Sequence, residues 1–155
     1  MLILENIIIT IAQEKDIPQL AELLDTLFTQ ELEFQPDEHK QIEALKQIVK
    51  NPSVGVIFVA KREDTIVGMI SLLFTISTVM GGRVGNLEDL VIRETYRNKG
   101  IGTMLLEFIF SYVEELNIPR LTLLTDDSNY KAQAFYIRNG FELSNMRIMR
   151  KFMDK

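Results

Sequence analysis

The stretch Arg97–Gly102 reads R-N-K-G-I-G, so it combines two cations with two glycines just before a helical pattern. The first turn of a helix leaves backbone N–H groups without partners, and the helix dipole makes that end positive. Glycine has no Cβ, so a ligand can approach the backbone closely. This composition predicts a loop that binds a phosphate or a pyrophosphate.

Two familiar phosphate loops do not fit the stretch. The P-loop pattern G-x-x-x-x-G-K-[ST] is absent, and the dinucleotide pattern G-x-G-x-x-G fails because Leu105 stands at the third glycine. A Rossmann-like nucleotide binder would also need alternating strand–helix units and a ribose-binding acid about 20 residues further on, which Asn117–Arg120 does not offer. The pattern that fits is Q/R-x-x-G-x-G/A after a strand.

A second motif lies in Asn129–Phe141, which reads N-x-x-A-x-x-F-Y-x-x-x-G-F. Asn129, Ala132 and Tyr136 are three and four residues apart, so a helix places them on one face. An amide, a small residue and a phenol on one face can line a narrow slot for a thioester.

Together the two motifs resemble the GNAT superfamily of acetyl-CoA-dependent N-acetyltransferases. The resemblance covers Ile7–Phe152 and is sharpest over Leu87–Leu106 and Leu121–Phe141. It implies one N-acetyltransferase domain over residues 1–155, with an α/β fold in the order βααβββαβαβ. The central mixed sheet would be mostly antiparallel, with a parallel pair of strands four and five and helices on its faces. Acetyl-CoA would be the co-substrate, no metal would be needed, and a homodimer would be possible.

The resemblance also implies which residues hold the coenzyme. Strands four and five splay in the family, and the pantetheine arm adds to strand four through backbone groups. Asn98 departs from the family pattern because glycine is frequent there, and Glu94 departs because proline is frequent. The residues assigned to the coenzyme are Leu90, Val91, Ile92, Arg97, Asn98, Lys99, Gly100, Ile101, Gly102, Thr103, Asn129, Ala132, Phe135 and Tyr136.

Direct acyl transfer to an amine needs a base for the ammonium, aligned reactants, a donor for the oxyanion and an acid for the leaving thiolate. The resemblance gives the acid role to Tyr136. Glu88 is the candidate base, acting through a water, and strand alternation predicts that Asp89 points to the other face. His39 is an alternative base, but its place in a polar helix start predicts simple exposure.

The acceptor, a primary amine of a small molecule or peptide, is assigned to the junction after the first helix. Phe28, Glu31 and Phe34 combine acidic and aromatic side chains, which can hold a cationic amine. A charge run at a helix end equally fits a solvated face. The segment from Phe74 to Met80 is predicted to border the acceptor pocket or a dimer seam.

Hydrophobic periodicity and turn residues predict the elements that position these groups. The predicted strands are Ile7–Ile11, Val54–Ala60, Thr65–Thr75, Leu87–Ile92, Arg120–Thr125, and final strands at Phe141 and Ile148–Phe152. Four helices are predicted. The first begins after an N-cap at Asp16, the second covers Asp37–Lys50, the third covers Ile101–Asn117, and the fourth begins after Asn129 and ends at Asn139-Gly140.

Composition excludes several other classes of protein. The net charge of -5 over 155 residues argues against nucleic-acid binding. The absence of cysteine and the single histidine argue against disulfides, thiolate metal sites and multi-histidine metal sites. Glu5 interrupts an apolar N-terminus that lacks a basic region, and no run approaches the ~20 apolar residues of a membrane span. We therefore expect a cytoplasmic enzyme, with a non-catalytic acyl-CoA-binding module as the alternative.

Overall fold

The computed structural model describes residues 6–31 and 33–153, so the apolar N-terminal stretch 1–5, Leu32 and the last two residues lie outside the description. The described chain follows the order βααβββαβα, with short 3₁₀ turns at Glu14–Asp16 and Glu94–Tyr96. The elements are β1 Ile7–Ile11, α1 Ile17–Gln30, α2 Glu38–Lys50, β2 Gly55–Arg62, β3 Thr65–Ser77, β4 Gly82–Ile92, α3 Ile101–Glu115, β5 Leu121–Leu123 and α4 Tyr130–Arg138.

The chain forms two compact units, one up to Leu124 and one from Thr125 onward. The first unit carries the sheet and three helices, and the second carries α4. Each unit is described by itself below. A single domain over residues 1–155 stays a prediction.

The five strands form one sheet in chain order, β1-β2-β3-β4-β5. The first four strands pair antiparallel, and β4 and β5 pair parallel across the crossover helix α3. This confirms the predicted mixed sheet with one parallel pair. Strand β4 begins at Gly82, five residues before the predicted start at Leu87, and it pairs with β3 along that extension.

Helices cover both faces of the sheet in the first unit. On one face, Ile57, Met69 and Val91 share a buried cluster with apolar side chains of α1 and α2. On the other face, the Phe58 ring packs 5.6 Å from Phe108 and 5.1 Å from Tyr112 of α3. Full burial of a side chain of this size contributes about 1.5–3 kcal/mol, so these two layers stabilise the sheet from both faces.

The start of α1 differs from the prediction in its capping. Pro18 lies in the first turn as expected, but the Asp16 carboxylate does not cap the helix. It accepts a hydrogen bond from the Gln13 N–H at 2.8 Å and lies 2.9 Å from Lys61 Nζ, so it ties the helix start to β2 instead. The next helix follows the expected rule, because Asp37 accepts from the Lys40 N–H at 3.2 Å.

The predicted final strands are wrong for the described residues. Phe141 and Ile148–Phe152 carry no strand, and no described residue after β5 pairs into the sheet. A strand needs a neighbouring backbone and a surface on which alternate side chains are buried. Among the apolar side chains of this segment, Leu143 is 72% exposed and Met149 is 95% exposed.

A glycine in β3 sets how closely α3 approaches the sheet. A Cβ added at Gly68 would lie 2.7 Å from Ile92 Cδ1, 3.4 Å from Val91 O and 3.6 Å from Ile101 Cγ2. We expect Gly68→Ala to lower the free energy of unfolding by about 1 kcal/mol, because the Cδ1 methyl of Ile92 must move. Urea denaturation measures the difference. Gly82→Ala is the matched control, since nothing lies within 4 Å of its added Cβ, and an equal loss in both variants would contradict the steric reason.

Candidate active site

The predicted phosphate loop connects the end of β4 to α3 and contains two left-handed residues. Asn98 has φ +61° and Gly100 has φ +86°. Asparagine tolerates this region better than most residues that carry a Cβ, which explains how it replaces the glycine frequent in the family. The departure at Asn98 therefore keeps the loop conformation.

Gly100 is the N-cap of α3, and no side chain caps the helix there. The orphan N–H groups of the first turn are left for an anion. Ile101 is 1% exposed and anchors the turn in the core. Its side chain and that of Val91 are buried, so only the backbone of these two predicted coenzyme residues can reach a ligand.

The cations of the loop have different roles. Arg97 Nε donates to the Ile92 carbonyl at 2.9 Å, which braces the loop against the end of β4. Its two terminal nitrogens make no further hydrogen bond within residues 6–31 and 33–153. Lys99 is exposed and forms no ion pair with another described residue. Both side chains therefore offer positive charge beside the open turn of α3.

The parallel strands β4 and β5 pair over a short length. Gly85 pairs with Leu121, Asn86 with Thr122 and Leu87 with Leu123, where the pairing ends. Strand β4 continues to Ile92, so β5 does not occupy the backbone groups along 88–92 on that side. This agrees with the splay that the family resemblance implies. Leu90 and Ile92 lie on the part of β4 that β5 leaves unpaired.

A β-bulge interrupts β4 beside this edge. Val91 pairs with Met69 and Glu88 pairs with Ser71, so two intervening residues of β4 face one residue of β3. Asp89 has φ +58° at this point. The expectation that Asp89 points away from Glu88 assumed regular alternation, and the bulge breaks that alternation.

The two carboxylates at the bulge differ in their surroundings. Glu88 is exposed, whereas Asp89 is partly buried. Burial raises the pKa of Asp89 to about 7, and the negative charges of Glu88 and Glu31 add to the rise. Asp89 thus exchanges its proton near neutral pH, where a general base works best.

A buried hydroxyl lies beside the bulge. Ser71 is 1% exposed, and its Oγ has no hydrogen-bond partner among the residues that the structure describes. Directly opposed residues of an antiparallel pair carry their side chains on the same face, which here is the face of Glu88. Since a buried hydroxyl is costly unless it is hydrogen-bonded, it marks a place for a polar partner outside the protein.

The predicted acceptor segment lies near the bulge. Glu31 is the C-cap of α1, and its charge acts on Asp89. The rings of Phe28 and Phe34 contact edge to face with centroids 6.0 Å apart, and Phe34 is 42% exposed. The fold therefore brings the acidic part of this segment to the carboxylates of β4.

Two other candidates are not drawn into the site. His39 lies exposed in the first turn of α2, as expected. In the segment from Phe74 to Met80, the Phe74 ring makes a cation–π contact with the guanidinium group of Arg83, whose Cζ lies 4.3 Å from the ring centroid.

In the second unit, Asn129 is the N-cap of α4. Its Oδ1 accepts from the Ala132 N–H at 3.1 Å, so the carbonyl oxygen of this predicted coenzyme residue is already used by the helix. Only the Asn129 amide NH₂ is left to donate to a ligand.

Tyr136 is fixed by the end of the same helix. Gly140 has φ +94°, and the Phe141 N–H donates to the Tyr136 carbonyl at 3.0 Å, as in a Schellman motif. The Tyr136 ring centroid lies 5.2 Å from that of Phe135 and 5.7 Å from that of Phe141. Burial raises the pKa of Tyr136 to about 12, so the phenol keeps its proton throughout the neutral range.

Sequence reasoning missed the bulge, the raised pKa of Asp89 and the unpaired hydroxyl of Ser71. One local signal was present, because aspartate is depleted inside strands and is one of the few residues that tolerate positive φ. Nothing in the sequence near Ser71 marks its hydroxyl as unpaired.

Known proteins agree with this architecture. The family model described as "Acetyltransferase (GNAT) family" matches residues 17–141. The uncharacterized N-acetyltransferase YhfO of Bacillus subtilis is 32% identical over 118 residues, which are 75% of this chain and 79% of that protein. An integron cassette protein, HFX_CASS3, from the mobile metagenome of Cole Harbour Salt Marsh superposes with a TM-score of 0.81 at 25% identity, covering 94% of this chain and 90% of that one.

A further solved structure, a predicted acetyltransferase from Clostridium acetobutylicum with acetyl-CoA, has a TM-score of 0.78 at 19% identity. The alignment covers 96% of this chain and 98% of that chain, and it supports the fold alone.

Fold, loop and family match together define an acetyltransferase. The chain belongs to the GNAT family, and it is an N-acetyltransferase. Within residues 6–31 and 33–153, no helix has the length and apolar character needed to cross a membrane. The same part of the chain contains no group of three or more His, Asp or Glu side chains that could hold a metal ion.

Proposed function

We propose that this protein transfers an acetyl group from acetyl-CoA directly to a primary amine of a small molecule or peptide. The observation that carries the proposal is the edge of β4 that β5 leaves unpaired after Leu87. This edge is followed in the chain by the cationic loop and the glycine N-cap of α3. An extended thioester arm can add to a strand edge through backbone hydrogen bonds, and a pyrophosphate suits an open helix start.

In this proposal the coenzyme spans both features. The backbone of Leu90, Val91 and Ile92 bonds the pantetheine arm, and the loop from Arg97 to Thr103 binds the pyrophosphate. The family resemblance also assigns Asn129, Ala132, Phe135 and Tyr136 to the coenzyme. Homodimerisation and a cytoplasmic location stay predictions from the sequence.

The proposed acceptor is cationic before it reacts. Glu31 supplies negative charge near the bulge, and Phe28 and Phe34 supply ring faces, which attract an ammonium group. A carboxylate of the Glu88–Asp89 pair removes one proton from the bound ammonium, because only the free lone pair attacks the thioester. A backbone N–H of β4 stabilises the oxyanion, and Tyr136 donates its proton to the departing thiolate.

The deciding experiment is free-thiol release from acetyl-CoA against a panel of amines, amino acids, polyamines, aminoglycosides and N-terminal peptides. Turnover with any member would establish acetyl transfer and identify the acceptor class. Coenzyme A binding by thermal shift without release across the panel would instead favour the alternative, a non-catalytic acyl-CoA-binding module.

The phosphate loop gives a separate prediction. We expect Lys99→Gln to weaken coenzyme A binding about tenfold, since a charge-assisted hydrogen bond contributes about 1.5–3 kcal/mol. Isothermal titration calorimetry at two salt concentrations measures the affinity, and the salt dependence should fall as well. Lys40→Gln makes the same change of charge at an exposed position on α2. Equal affinities in the two variants would contradict the phosphate role of Lys99.

A further inference from the structure

We propose that Asp89, rather than Glu88, accepts the proton of the acceptor ammonium, an inference that rests on the proposed function. Both carboxylates lie at the bulge of β4, but the local geometry distinguishes them. The inference follows from the backbone at Asp89, the burial of its side chain and its charged neighbours.

The bulge breaks the alternation of side chains at Asp89. In a regular strand, the carboxylates of consecutive residues lie on opposite faces. Here the extra residue of β4 lies between the pairs Glu88–Ser71 and Val91–Met69, and Asp89 takes a left-handed backbone conformation. Bulges re-aim side chains in this way beside active sites. Asp89 also lies at the start of the length of β4 that β5 leaves unpaired.

The surroundings of Asp89 suit a proton acceptor better than those of Glu88. Glu88 is exposed, so it lacks the burial that acts on Asp89. The charged groups that act on Asp89 are Glu88 on its own strand and Glu31 at the end of α1, and both are acidic. Opposite the bulge, β3 presents Met69, Ile70 and Ser71, none of which is charged. Burial and repulsion together place the pKa of Asp89 at about 7.

The Ser71 hydroxyl is an independent sign that a polar group binds here. It is buried beside the bulge, and its Oγ is not hydrogen-bonded by any described residue. An ammonium nitrogen, or a water that relays its proton, would satisfy that oxygen while lying near the carboxylates. Without this hydroxyl, the acidic side chains of Glu31, Glu88 and Asp89 would equally fit a solvated surface.

The proton balance of the step is simple. The ammonium loses one proton to a carboxylate oxygen of Asp89, and the freed lone pair forms the N–C bond to the thioester carbonyl. The C–S bond breaks with its electron pair on sulfur, Tyr136 protonates that thiolate and takes up a second nitrogen proton, and the third stays in the amide. Asp89 then releases its proton to water, so each turnover yields one proton.

The test compares Asp89→Asn with Glu88→Gln in the full chain, using acetyl-CoA and the panel amine that gives the fastest thiol release. Asp89→Asn is expected to lose about 10²–10³-fold in kcat/KM, the range of general base catalysis. Glu88→Gln should lose less kcat/KM than Asp89→Asn, and its acidic limb should move to lower pH because one negative neighbour of Asp89 is gone. Coenzyme A affinity should be unchanged in both variants, which shows that the donor site is intact. Glu107→Gln, at an exposed position on α3, is the control for unchanged activity.

Each alternative outcome has a definite meaning. If Glu88→Gln loses activity and Asp89→Asn keeps it, the assignment to Asp89 is overturned while the acetyltransferase proposal stands. If the wild type releases no thiol with any amine, both proposals fail together. As a measurement that needs no acceptor, the ¹³C signal of the Asp89 carboxyl is expected to titrate near the pKa of about 7, and a midpoint below about 5 would overturn the inference.

Discussion

Replacing Tyr136 with phenylalanine is expected to lower kcat for acetyl transfer by about 10²–10³-fold and to leave coenzyme A affinity within about twofold of the wild type. The substitution removes only the hydroxyl, so the ring contacts with Phe135 and Phe141 and the helix end at Gly140 are retained. Thiol release at saturating acetyl-CoA measures kcat, and calorimetry measures the affinity.

The same helix offers a matched control for this experiment. Tyr130 begins α4 and is 75% exposed, so Tyr130→Phe removes a hydroxyl from the same element without touching the proposed acid. Since the pKa of Tyr136 is about 12, its ionisation should cause no loss of activity below about pH 10. If Tyr136→Phe retained more than half of the wild-type kcat, Tyr136 would be a packing residue only.

The second large effect concerns stability. At pH 8, Asp89→Asn is expected to raise the free energy of unfolding by up to about 4 kcal/mol, and the gain should vanish near pH 4. The pKa of Asp89 is raised to about 7 in the folded chain, whereas an unfolded aspartate titrates near pH ~3.9. Between these values the folded state holds a proton that the unfolded state has lost, so wild-type stability falls as the pH rises. Above pH ~7 the full cost of the buried charge is present.

Urea denaturation at pH 4.5, 6 and 8 measures this dependence. Glu107→Gln is the matched control, because Glu107 is an exposed acid on α3 and its removal should change stability by no more than about 0.5 kcal/mol. A stabilisation by Asp89→Asn of the same size at all three pH values would contradict the linkage, since an effect of packing alone does not depend on protonation. A carboxylate kept at such a cost agrees with a functional role, because active sites often trade stability for activity.

The local elements of this fold could be predicted from the sequence. The apolar period of α3, the N-cap at Asp37 and the left-handed end of α4 at Gly140 all appear where the residue pattern indicates them. Each depends on interactions within about one helical turn, which the sequence specifies directly. For the same reason the glycine loop before α3 was recognisable, and the family match extends over it.

The features that tertiary structure decided depend on distant partners. The bulge at Asp89 exists because β4 pairs with β3 across a register shift, and no neighbouring residue of Asp89 encodes that shift. The approach of Glu31 to Asp89 depends on how α1 packs against the sheet. The strands predicted at Phe141 and Ile148–Phe152 had strand-forming residues, but the structure describes no strand there.

The composition of the site could therefore be read from the sequence, but the choice between its two carboxylates could not. Glu88 and Asp89 are adjacent acids with nearly the same intrinsic pKa. Long-range packing exposes one and buries the other, and burial disfavours the charged form of a carboxylate. The sequence determined that a carboxylate would stand at this point of β4, and the tertiary structure decided which of the two is suited to accept a proton near neutral pH.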